Sequence, residues 1–293
     1  MESNLQEEKS KPKKTWSKFK RTPKMSRLKG ITPIDLEIIS LLSDYRFLPA
    51  SLLHRLVNAH PRVVQQHLTA LWNDKQLINR FAFLKIRFHG EFIYYIENAE
   101  ALRIYAEETG HSFQKSAFDT VRYNRESQYF RINDPTVANE RSERMRFLQH
   151  ELGISRFHAM LEMGCKRSSG KVILYNWQQG ARICHKVKIP KVRKEAGKLV
   201  EAEKLEAVPH EPDAFFTLHF PHKSEEEAFL HFFFEYDRGT MNGTDMRQKF
   251  RSHFHYIVKQ KLIKDHYGVN RIRAVLVHAP DQGRAEYLRT IVS

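Results

Sequence analysis

Residues 212–240 read PDAFFTLHFPHKSEEEAFLHFFFEYDRGT, and this stretch decides the fold of the larger part of the chain. Two apolar runs, Asp213–Phe220 and Phe229–Tyr236, the second holding Phe232-Phe233-Phe234, are expected as strands. Carboxylates stand where the strands meet solvent: Asp213 at the mouth of the first, Glu235 and Asp237 at the end of the second. Side chains at the ends of neighbouring strands are well placed to share a divalent cation, because hard oxygen donors suit Mg2+. Such an ion activates water and neutralises charge on a phosphate.

Outward from this centre, a helix is expected from about residue 139 past His150-Glu151-Leu152, with Met145, Leu148 and Leu152 at burial spacing. Strands are expected over Lys171–Trp177 and Arg182–Ile189, then a Lys/Glu-rich insertion, residues 190–208, read as a mobile loop. A long helix over Asp245–Ile263, an apolar strand over Arg271–His278 and a closing helix over Arg284–Ile291 complete an αβββ(β)αβα order, a mixed sheet with helices on its faces.

The N-terminal part reads differently. Thr32-Pro33-Ile34-Asp35 carries a cap, a first-turn proline and an acidic residue that favours the helix dipole. Leu36, Ile39 and Leu42 continue it, Pro49 starts a second helix with Leu52, Leu53 and Leu56, and Pro61 opens a third through Leu71. There Val64, Leu68 and Leu71 share one face, while Arg62, Gln65, Gln66 and Thr69 point elsewhere. Ile78–Phe88 and Glu91–Ile96, joined at His89-Gly90, read as a β-hairpin. Three short helices and a hairpin resemble a winged helix-turn-helix. That resemblance implies that Arg62, Gln65, Gln66 and Thr69 face double-stranded DNA from the third helix and that Arg87 and His89 touch backbone from the wing.

The expected organisation is α+β: a disordered basic tail (1–30), a winged helix-turn-helix (31–110), a connecting segment (111–138) and a nuclease-like α/β domain (139–293). Charge supports a polyanion partner. Lys and Arg number 49 against 34 acidic residues, a net +15 in 293 residues, and the tail alone carries about half of it. No apolar run approaches the roughly 20 residues of a membrane span, and no secretory leader is evident, so a cytoplasmic protein is expected. Two cysteines, Cys165 and Cys184, exclude a disulfide framework or a four-cysteine zinc site.

The C-terminal pattern resembles the PD-(D/E)xK nuclease superfamily, whose core is αβββαβ. The resemblance implies Asp213 and Glu235 as catalytic carboxylates, Glu151 on the first helix as a third, and a restriction-endonuclease-like fold binding Mg2+ or Mn2+ through Asp213, Glu235 and Asp237. Asp237 stands where that pattern has lysine, so the lysine role passes to Lys249 on the following helix. The whole layout is similar to the replication-relaxation family of plasmid and mobile-element proteins, carried by His150-Glu151-Leu152, Pro212-Asp213, Glu235 to Thr240, Lys249, Val275-Leu276-Val277 and Arg284. It implies DNA binding in plasmid replication, with other replication proteins as further partners. Metal-dependent nicking and a non-catalytic regulator whose second domain only binds stay open as alternatives, as does the oligomeric state. His253-Phe254-His255 looks like the paired histidines of HUH relaxases. Helical periodicity sends residues two apart to different faces, so these two are expected on a basic helix surface. Ser168-Ser169-Gly170-Lys171 lacks the glycine spacing of a P-loop and is a plain turn.

Overall fold

The computed structural model describes residues 30–81, 91–96, 99–111, 140–195 and 198–292; the basic tail, the tip of the expected wing with Arg87 and His89, and nearly all of the connecting segment lie outside them. The protein is a mixture of helices and small sheets.

Helix α1 (Pro33–Tyr45) begins as its sequence dictates: Thr32 Oγ1 accepts from the Asp35 amide at 3.3 Å, and Asp35 Oδ2 accepts from the Thr32 amide at 3.0 Å. Strand β1 (Leu48–Pro49), α2 (Ala50–Leu56) and α3 (Pro61–Asn73) follow, then β2 (Asn79–Phe81) and β3 (Ile93–Tyr95). The strands form an antiparallel sheet in the order β1-β3-β2. Ile38, Ile39, Leu42, Leu53, Val64, Leu68 and Tyr94 close the core, as the periodicity requires. Asp35 does more than favour a dipole. Fully buried, it accepts from Lys75 Nζ at 2.6 Å and lies 2.9 Å from His67 Nδ1, tying the start of α1 to α3 and the turn after it.

After α4 (Glu100–Thr109), the long helix α5 (Glu140–Arg167) leads into a four-stranded sheet of β4 (Ile173–Gln178), β7 (Ala214–His219), β8 (Phe229–Tyr236) and β9 (Ala274–His278), in the order β4-β7-β8-β9. The first three are antiparallel neighbours, whereas β8 and β9 run parallel. The short α6 (Glu225–Ala228) lies between β7 and β8; the parallel neighbour β9 needs a crossover, and α7 (Gly243–Phe254) begins it. The phenylalanine runs are buried on both sides. Phe216 and Phe234 face α5, where Phe157 stacks on Phe234 at 3.9 Å; Phe215 and Phe233 face Tyr256 and Tyr267.

Two expectations are corrected. Residues 190–208 are not a loop: β5 (His185–Glu195) and β6 (Lys198–His210) pair as a long antiparallel hairpin. Its Lys/Glu composition masks alternation, with Val187, Ile189 and Val208 turned into the core while Lys186 and Lys188 are exposed. Nor is Asp245–Ile263 one helix. It passes at Phe254 into a π-turn (His255–Lys259), breaks where Lys261 takes a φ of 54°, and resumes as α8 (Ile263–Tyr267). The break lets Tyr256 and Ile263 enter one cluster, and it leaves Phe254 about half exposed. The last helix, α9 (Gln282–Val292), packs on α7 through Leu288 and Ile291.

Candidate functional site

Asp213 sits at the start of β7, its amide donating to the Phe234 carbonyl at 3.0 Å, so the strand pairing itself brings it beside Glu235 on β8. Lys249, two turns into α7, reaches down between them. Its ammonium contacts Glu235 Oε2 directly and lies 3.8 Å from Asp213 Oδ1. The other oxygens are also held: Asp213 Oδ2 accepts from the Tyr236 amide at 2.6 Å and lies 3.2 Å from His150 Nε2, and Glu235 Oε1 lies 2.6 Å from His253 Nε2.

Glu151 attaches at one remove. It is 3.9 Å from His150 Nδ1 on its own helix, and its Oε2 accepts from Arg46 Nη1 at 2.8 Å. Arg46 comes from the N-terminal unit, where it caps α1 with a φ of 65° that a non-glycine residue rarely adopts. Gly180 makes room for it, since a Cβ there would lie 2.1 Å from Arg46 Nη2. The result is an alternating series of charges, Arg46–Glu151–His150–Asp213–Lys249–Glu235, continued by His253 to His210 at 3.0 Å. Arg46, His150, Glu151, Asp213 and Lys249 line one open cleft of about 1240 Å³ between α5, β4 and the end of α1.

Electrostatics follow from this order. Burial would raise the Asp213 carboxyl, but the His150 hydrogen bond and the Lys249 charge outweigh it and hold the group below its usual range. Glu151 behaves alike under Arg46 and His150, against the same opposition from burial. His150 would be lowered by burial, yet Asp213 and Glu151 push it up to about 9. Burial pushes Glu235 up, with Asp213 adding to the effect and Lys249 opposing it. Lys249, despite burial, is raised by the two carboxylates and stays an ammonium. His210, buried beside His253, is pushed down to about 2.

The structure therefore brings Asp213, Glu235 and Lys249 together and joins Glu151 to them through His150. Asp237 turns away: Arg284 Nε donates to its Oδ2 at 2.5 Å and the Gly239 amide to its Oδ1 at 2.9 Å, pinning α9 to the end of β8. His253 is not on a helix surface, because it is buried against Glu235 and His210. On α3, Arg62, Gln66 and Thr69 are exposed and Gln65 half-buried, one open face with the Thr69 hydroxyl donating to the Gln65 carbonyl at 2.9 Å. Sequence reading missed His150, Arg46, His253 and His210 as site residues. His150 had a signal, its place beside Glu151; the others meet the site only through tertiary contacts.

Among the described residues, no group of three or more His, Cys, Asp or Glu side chains is arranged to hold a metal. Mg2+ does not require one. It dehydrates reluctantly, keeps several waters and is commonly held by one or two carboxylates and a substrate phosphate. Asp213 and Glu235 with Lys249 between them fit that kind of site: the ammonium already stands against both carboxylates, as a cation between them would.

The family model described as replication-relaxation matches residues 39–271, well over half of the chain. No curated protein and no solved structure matches it. Among the described residues, no helix is long and apolar enough to cross a membrane.

Proposed function

The chain belongs to the replication-relaxation family, which associates it with replication or DNA processing, and from that premise we propose a DNA-binding protein that cuts a phosphodiester bond with the help of a divalent cation. The observation that carries the cutting step is Lys249 lodged between Asp213 and Glu235, with Lys249 and Asp213 lining an open cleft. The topology agrees: a helix, three antiparallel strands, a crossover helix and a parallel strand follow the αβββαβ order of PD-(D/E)xK nucleases, with β5 and β6 as an insertion.

Asp213 and Glu235 would hold Mg2+ or Mn2+, which when bound supplies a Lewis acid and lowers the pKa of a coordinated water. Lys249 is kept charged, and its ammonium stabilises negative charge that develops on the phosphate. Glu151, neutralised by Arg46, keeps His150 aimed at Asp213. Upstream, we read α1 to α3 with the β1-β3-β2 sheet as a winged helix-turn-helix. It offers Arg62, Gln65, Gln66 and Thr69 to double-stranded DNA, and the basic tail adds phosphate contacts.

A second reading has one observation in its favour. Asp237 occupies the lysine position of the nuclease pattern and serves Arg284, so the C-terminal unit would bind DNA or another replication protein without cutting. The experiment that separates them is nicking of supercoiled plasmid with Mg2+ or Mn2+, wild type beside Asp213→Ala, with DNA affinity recorded in the same buffers. Nicking by the wild type alone, at equal affinity, is the expected result. Tight binding by both proteins with no nicking by either supports the second reading.

A further inference from the structure

The charge of this protein is not spread evenly over its second unit. Residues 251–273 carry six Lys and Arg against the single acid Asp265. Lys259, Lys261, Lys264, Arg271 and Arg273 are all exposed, as are Lys186 and Lys188 on β5. They cover one piece of core from outside. Val187 and Ile189 point inward between those lysines into the same cluster as Tyr256, Ile263, Leu262 and Ile272, and the Gln260 side chain donates to the Lys188 carbonyl. Elsewhere on this unit, three surface lysines have carboxylate partners: Lys166 with Glu162 at 2.7 Å, Lys191 with Glu206 at 3.7 Å and Lys223 with Glu227 at 3.6 Å. Among the described residues, no carboxylate lies within ion-pair distance of any of the seven cations. Like charges gathered without counter-charges repel one another, and a polyanion relieves that repulsion while releasing its own counterions.

None of the seven lines the cleft that holds Asp213 and Lys249, and none belongs to the face of α3. We infer that this face, built from β5, the π-turn, α8 and the segment before β9, is a second docking surface for DNA, reading phosphates and not bases. The inference rests on the DNA-binding reading above and adds a contact to it. Five of its seven cations are lysine ammonium groups on long side chains, point charges that suit a phosphate backbone of any sequence. Its neighbour Phe254 is about half exposed beneath Lys259 Nζ, 5.5 Å from the ring centre.

The test is the salt dependence of duplex binding by the full chain. Removing one phosphate-binding cation lowers the slope of log K against log salt by about 0.9. The triple variant Lys259→Gln, Lys261→Gln, Lys264→Gln is expected to lower the slope by roughly 2–3, equally on cognate and random duplexes. The same three positions changed to Arg should keep the wild-type slope, and an unchanged thermal melt guards against misfolding. An unaltered slope in the Gln variant, with Arg62→Ala still weakening the protein, overturns the inference and leaves DNA binding standing. Absence of duplex binding by the wild type overturns both. Vesicles of phosphatidylserine and phosphatidylcholine provide the other arm. Loss of vesicle binding in the Gln variant with an unaltered DNA slope assigns the face to a lipid surface and overturns it as well.

Discussion

At the scale of single residues, several buried charges meet partners from distant parts of the chain. Asp35 is the clearest case outside the cleft. Burial would raise its carboxyl, but the hydrogen bonds from Lys75 and His67 outweigh burial and hold it below its ordinary value of 3.8. A carboxyl whose folded pKa is depressed contributes stability that is present above the unfolded pKa and is lost as pH falls through the folded one. Urea midpoints of the wild type should therefore drop between neutral pH and acid relative to those of Asp35→Asn, which has no carboxylate to protonate. At neutral pH the variant should be less stable by roughly 3 kcal/mol, because it strands Lys75 beside an uncharged partner. Parallel pH curves for the two proteins would contradict this. The sequence showed Asp35 as a first-turn acid, which is a local property. Its partners lie 32 and 40 positions away, and no local pattern announces them.

At the scale of elements, α5 matters most, because it carries His150 and Glu151 while packing on the sheet that carries Asp213 and Glu235. Gly153 allows the approach. A Cβ at that position would stand 2.1 Å from the Tyr236 ring. Gly153→Ala should force the helix off the end of β8 and destabilise the protein by about 1–3 kcal/mol, even though alanine is the better helix former. It should also loosen the His150 contact with Asp213, so any nicking activity should fall more than stability does. A variant as stable as wild type, or more so, would show that the tyrosine moves aside at no cost. The strands at 214–219 and 229–236 were legible because strands buried on both faces read as unbroken apolar runs, and Asp213, Glu235 and Lys249 were legible with them. The β5–β6 hairpin was not, because its outward lysines and glutamates dominate the composition and only every second residue carries the apolar signal. The break after Phe254 was hidden for a related reason: Ile257 and Ile263 continue an apolar spacing across residues that are not α-helical.

At the scale of the whole molecule, the N-terminal unit and the cleft are physically continuous. The Ser155 hydroxyl donates to the Tyr45 carbonyl at 2.7 Å, His158 stacks between Tyr45 and Trp177, and Phe47, Phe81 and Tyr95 share a cluster with Leu148 and Leu152 of α5. Arg46 then carries the contact into the cleft. On the proposed function, this continuity would couple the strand to be cut to a duplex held on α3, and the cations near β5 would give that duplex a second place to lie. Mn2+ reports directly on the Asp213–Glu235 pair. Electron paramagnetic resonance of Mn2+ titrated into the full chain with a duplex oligonucleotide should reveal an ion held by the wild type and at least tenfold more weakly by Asp213→Asn. Lys249→Ala, which vacates the space between the carboxylates, should retain it. Mn2+ held as tightly by Asp213→Asn as by wild type, or by neither protein, would contradict a divalent-cation site at Asp213 and Glu235.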